Sequence, residues 1–228
     1  MVLVAVWIGI GKALTGPLNG TALSRLDQRV AEWFVRHRTP TWNHLTVIGS
    51  YLAETVTKVA VTAVLALVLL AVWKRWLETM VLVVSLVMEA AAFITVTYVV
   101  GRHRPNVPRL ESSPVGSSFP SGHVAAAMAY TAIAVIVFWH TRKVWPRVLA
   151  VVVTAVIPPI VGLSRMYRGM HFLTDVVGGA LLGGAAVILT VVVLGRPADT
   201  APNDEPLTAW HPAAGNDEPR PVAAVSNA

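Results

Sequence analysis

Three histidines, an aspartate and a group of arginines fall into three short segments of this 228-residue chain. They are Gly101-Arg102-His103-Arg104-Pro105, then Phe119-Pro120-Ser121-Gly122-His123, then Ser164-Arg165 followed by His171 and Asp175. Guanidinium groups bind phosphate oxygens in pairs and offset the charge that builds up during phosphoryl transfer. Arg104 and Arg165 are therefore a candidate phosphate grip. His171 and Asp175 stand four residues apart and share a face if a helix begins near Phe172. The carboxylate can then accept the Nδ1 proton of the imidazole and leave Nε2 as a nucleophile. The same pair also fits a plain helix start, with Thr174 as cap and Asp175 complementing the dipole.

Pro120 to His123 stands where an apolar run begins. Ser121 can cap that helix, Gly122 lets an anion approach the unpaired backbone N–H groups, and His123 can protonate a leaving oxygen. Ordinary loop-to-helix punctuation has a similar composition, but it does not account for a second histidine on the same side. Arg102, Arg109 and Arg168 lie nearby and read most simply as anchors to lipid headgroups.

The elements that must carry these segments are apolar. Hydrophobic residues make up 55% of the chain and charged residues only 13%, with a mean hydropathy of +0.62, which points to a multi-span membrane protein. Five runs approach the roughly 20 residues that a span needs: about Val56 to Trp73, Thr79 to Val100, Gly122 to Trp139, Val148 to Leu163 and Thr174 to Leu194. Met1 to Leu14 is a short sixth. Between Asn19 and Ser50, the pattern Leu26, Val30, Trp33, Phe34 fits an amphipathic helix lying along the interface.

The expected fold is all-α: a six-transmembrane-helix bundle over residues 1–195 with an interfacial helix near the N-terminus. Residues 196–228, rich in Ala, Pro, Asn, Asp and Glu, read as a disordered polar tail. Cysteine is absent, which excludes disulfides, thiolate nucleophiles and Cys-based zinc sites. The net charge of +6 sits at the ends of apolar runs and does not indicate nucleic-acid binding.

Span parity puts all three segments on one membrane face. Lys74-Arg75, Arg142-Lys143, Arg147 and Arg196 fall on the other, with Trp73, Trp76, Trp139 and Trp145 as belt residues. The short basic loops at 74 and 142 make that face cytoplasmic by the positive-inside rule. The site is then extracytoplasmic, in the cell membrane, and the tail is cytoplasmic.

Arg104-Pro105, Pro120 to His123, and Ser164-Arg165 with His171 and Asp175 resemble, in order and spacing, the motifs of the type 2 phosphatidic acid phosphatase family. These integral-membrane lipid phosphatases share an active site with vanadium haloperoxidases. The resemblance implies catalysis by His171, His123 and Asp175, with phosphate held by Arg104, Ser121, Gly122 and Arg165. It also implies a phosphohistidine intermediate, no cofactor and no metal, and a membrane lipid phosphate or diphosphate as substrate. A phosphotransferase using the same site, or a weakened lipid-phosphate-binding scaffold, are the alternatives. One position departs: the family lysine seven residues before Arg104 is Thr97, which brings a hydroxyl but no charge. Arg102 and Lys58 are possible substitutes.

Three further features read as structural. Glu89 lies inside a span, 12 residues from Gly101, and suits a polar contact within the bundle better than catalysis. Gly179 and Gly183 form a small-xxx-small pattern for close helix approach. Pro158-Pro159 is expected to bend the helix that delivers Ser164 and Arg165.

Overall fold

The computed structural model describes residues 2–71, 74–112 and 116–195. Every regular element among them is helical and no strand occurs. The helices are α1 (Val2–Thr15), α2 (Ala22–Arg36), α3 (Pro40–Tyr51), α4 (Thr55–Ala71) and α5 (Trp76–Val100). They continue as α6 (Gly122–Met128), α7 (Thr131–His140), α8 (Val144–Tyr167) and α9 (Leu173–Leu194). The expected tail from Arg196 onward and the belt residue Trp73 lie outside the described residues.

By length and composition four elements can cross a membrane: α5, the consecutive α6 and α7, α8, and α9. A fifth is α3 with α4, if the pair, bent by 42°, counts as one span. The sixth expected span is α1, whose 14 residues rise only about 21 Å against a hydrocarbon core of about 30 Å. Among the described residues, four to five candidate spans thus meet the length and composition of a crossing helix.

The stretch 19–50 holds two helices, α2 over the expected pattern Leu26, Val30, Trp33, Phe34 and a second one after it. Thr39 accepts a hydrogen bond from the N–H of Trp42 and Pro40 opens the next turn, which restarts the chain as α3. That helix packs along α8, with Gly49 against Ser164 and Ile160. Helix α2 leaves Leu26 and Trp33 exposed and buries Asp27 and Ala31.

The packing explains how the motif segments are held. Phe119 is fully buried among Trp7, Leu14, Val96, Val100 and Leu182, so the strand of chain before His123 is pinned by a ring in the core. Gly178 makes room for that ring, since a Cβ there would meet it, and the carbonyl of Gly178 accepts a hydrogen bond from Trp7 Nε1 at 2.9 Å. The next residue, Gly179, lies against the carbonyl of Ser121, and one turn further on Gly183 lies against that of Ala125. The small-xxx-small pair therefore packs inside the bundle, as expected, and brings α9 onto the start of α6. Gly179→Ala should force α9 away from Ser121 and lower stability by about 1–3 kcal/mol, measured by thermal unfolding in detergent. α8 runs through Pro158 and Pro159 as one helix.

Candidate active site

Three chain segments converge on a cleft of about 610 Å³, lined among others by Lys58, Arg104, Gly122, His123, Arg165, Arg168 and His171. The parity argument holds: residues from all three motif segments share this one opening.

His171 sits in the turn between α8 and α9 and is buried. Its Nδ1 lies 2.8 Å from the backbone carbonyl of Ser118. A carbonyl only accepts, so Nδ1 carries the proton and Nε2 keeps a lone pair. Burial holds the His171 pKa well below the usual 6.5, and the charges of Arg165 and Arg104 push it further down. The imidazole is therefore neutral at physiological pH, the form a nucleophile requires.

The role expected of Asp175 differs from its placement. Its Oδ2 is 3.9 Å from His171 Nδ1, beyond hydrogen-bond reach. The carboxylate instead accepts from the Phe172 N–H at 2.8 Å and from Arg102 Nη1 at 2.5 Å. The physical reason is the helix start: Asp175 is the third residue of α9 and turns back onto the residue before it, which takes it off the imidazole. Thr174, expected as the cap, is not one; Phe172 occupies that position.

Arg102 is no headgroup anchor. It is 6% exposed and spans two carboxylates, with Nη1 on Asp175 and Nη2 on Asp27 Oδ2 at 2.9 Å. Asp27, from α2, also accepts from the Thr174 N–H at 3.1 Å and from its hydroxyl. A lone aspartate in an amphipathic helix gave no sign of this in the sequence. Arg168 is likewise internal, bonding Glu111 Oε2 at 2.8 Å, while Arg109 is exposed.

Arg104 donates to the carbonyls of Met170 at 2.5 Å and Ser117 at 3.1 Å. Burial and the nearby Arg165 lower its pKa to about 10, which still leaves it charged. Arg165 pairs with Glu111 and keeps a buried Nε with no partner among the described residues. Glu111 sits between Arg165 and Arg168, whose charges hold its carboxyl below the ordinary range against the opposing effect of burial. Ser121 occupies the N-cap position of α6 but its hydroxyl makes no cap bond; it is buried, with no partner among the described residues. The cleft thus presents cations and unused donors beside a neutral imidazole, an arrangement suited to an oxyanion.

The PAP2 superfamily profile matches residues 78–198, more than half of the chain. This chain belongs to the PAP2 superfamily. Sphingosine-1-phosphate phosphatase 2 of Homo sapiens is 40% identical over 89 residues, 38% of this chain and 22% of that protein. Phosphatidylglycerophosphatase B of Bacillus subtilis is 43% identical over 68 residues, 29% of this chain and 34% of that protein. The chain thus matches about a fifth to a third of these relatives' lengths. The crystal structure of the Bacillus subtilis PAP2 type phosphatidylglycerolphosphate phosphatase superposes with a TM-score of 0.73 at 22% identity, covering 85% of this chain and 96% of that one. It shows the shared fold. With its candidate spans, the PAP2 chain is an integral membrane protein.

Proposed function

We propose that this PAP2 protein is a phosphatase acting on a lipid phosphate or diphosphate, through a phosphohistidine intermediate and without a metal. The observation that carries the reading is the neutral His171, its Nε2 unprotonated, in one cleft with His123, Arg104 and Arg165. The Nε2 lone pair attacks phosphorus, the P–O bond to the lipid breaks, and the departing oxygen takes a proton from His123. Water then attacks the phosphohistidine, gives a proton to His123, and the P–N bond breaks to release phosphate. Arg104, Arg165 and the N–H groups around Ser121 and Gly122 hold the phosphoryl oxygens throughout. Asp175 acts through Arg102 and the start of α9, positioning the turn that carries His171.

In this reading α1 completes a six-span bundle as a short or tilted span, and α2 lies along the interface with Leu26 and Trp33 toward lipid. The cleft is extracytoplasmic, because Lys74, Arg75, Arg142, Lys143 and Arg147 gather at the other end.

The test is phosphate release by purified protein from phosphatidic acid, phosphatidylglycerophosphate and polyprenyl diphosphate. Release from at least one, inhibited by vanadate and untouched by chelators, is expected. No release from any would overturn the reading, and adding candidate acceptor alcohols would then separate a transferase from a scaffold.

The pH profile supplies a further check. Because His171 stays neutral below its ordinary pKa of 6.5, the acid limb that it sets in kcat/KM should fall below that value. Arg104 is one of the cations that lower it, so Arg104→Gln should move this limb to higher pH.

A further inference from the structure

We infer that Lys58, delivered from α4 and steadied by Glu89 of α5, is a phosphate-binding cation of the cleft, and that it supplies the charge that Thr97 lacks. The inference rests on the proposed phosphate chemistry of the cleft but not on which lipid is hydrolysed.

Glu89, Phe93 and Thr97 follow one another at intervals of four residues on α5, so they form one stripe. Phe93 lines the cleft, and its ring lies where a Cβ on Gly122 would stand. The stripe therefore faces the cleft and the start of α6. At its outer end Thr97 is buried, with a hydroxyl that has no partner among the described residues. One turn of helix inward from Phe93, Glu89 is 1% exposed and pairs with Lys58, whose Nζ lies 3.1 Å from Oε2. Lys58 lines the same cleft as His123, Arg165 and His171. Position 97 offers no cation to the cleft, and the neighbouring helix does.

The pair has no strong structural excuse. A buried ion pair within a span contributes little compared with apolar residues of the same size. What distinguishes this one is its place on the cleft wall. An ammonium has three donors; one is used on Glu89, which leaves two for phosphoryl oxygens without breaking the pair. Glu89 holds the lysine in place on the cleft wall while the cleft is empty.

The experiment measures orthovanadate binding to the purified full chain, through its shift of the thermal unfolding midpoint, for wild type, Lys58→Met, and Lys58→Met combined with Thr97→Lys. Loss of a charged hydrogen-bonding group should weaken vanadate binding roughly 10–100-fold. The lysine placed at 97 should recover most of that loss. Unchanged vanadate affinity in Lys58→Met overturns the inference, and so does a loss that Thr97→Lys fails to restore, since Lys58 would then act on structure alone. If Lys58→Met does not fold because Glu89 is left unpaired, Lys58→Met with Glu89→Leu removes both charges and carries the same comparison. A wild-type protein that binds vanadate yet releases phosphate from no lipid would remove the proposed activity and leave this inference standing.

Discussion

His171→Ala is expected to lower phosphate release by roughly 10⁴-fold or more, the scale on which a nucleophile's loss is felt when its partners remain. The reason lies in the division of labour in the cleft. Arg104, Arg165 and the donors at the start of α6 can still bind and orient a phosphoryl group, but the Nε2 lone pair that the Nδ1 bond to the Ser118 carbonyl frees is gone. Substrate binding should therefore survive while turnover does not. Rapid base quenching with labelled substrate distinguishes the steps, because a phosphohistidine survives alkali but not acid: the wild type should show label on protein, and His171→Ala should show none. Full activity in His171→Ala would remove the phosphohistidine mechanism.

Arg102→Ala should destabilise the fold by about 3–5 kcal/mol, the cost of leaving buried charge without its counter-ion. Its guanidinium holds Asp27 and Asp175, both about 1% exposed or less, and lies 4.5 Å from the Phe172 ring. Removing it strands two carboxylates at once and frees α2 from the start of α9. Asp27→Asn, which keeps an acceptor for the Thr174 N–H, should cost less. Denaturant or thermal unfolding in detergent measures both. A change in Arg102→Ala within about 0.5 kcal/mol, typical of a surface site, would return Arg102 to the role of a headgroup anchor.

Much of the site was legible in the sequence because its parts are local. The spacings within Pro120 to His123 and from Ser164 to Asp175 survive into the structure, and parity along the apolar runs was enough to bring them to one opening. The small residues at 179 and 183 announced a close helix contact because their period is that of a helix face. Misreadings arose where an end or a partner is chosen by competition. Asp175 turns to the backbone of Phe172 and to Arg102, and His171 takes the carbonyl of Ser118, 53 residues away in the chain. Helix α3 packs on α8 at Gly49, a contact made with residues more than a hundred positions away in the chain.

The sequence by itself determined that this chain is an apolar helical bundle with its motif histidines and arginines gathered at one opening, because periodicity and short-range spacing set which residues share a face. Only the tertiary structure decided which carboxylate each cation meets: Asp27 and Asp175 for Arg102, Glu111 for Arg165 and Arg168, Glu89 for Lys58. In a medium that hydrates no charge, every buried cation must find a counter-ion or acceptor. Which one lies within reach follows from how the helices pack, and packing joins residues that the sequence keeps far apart.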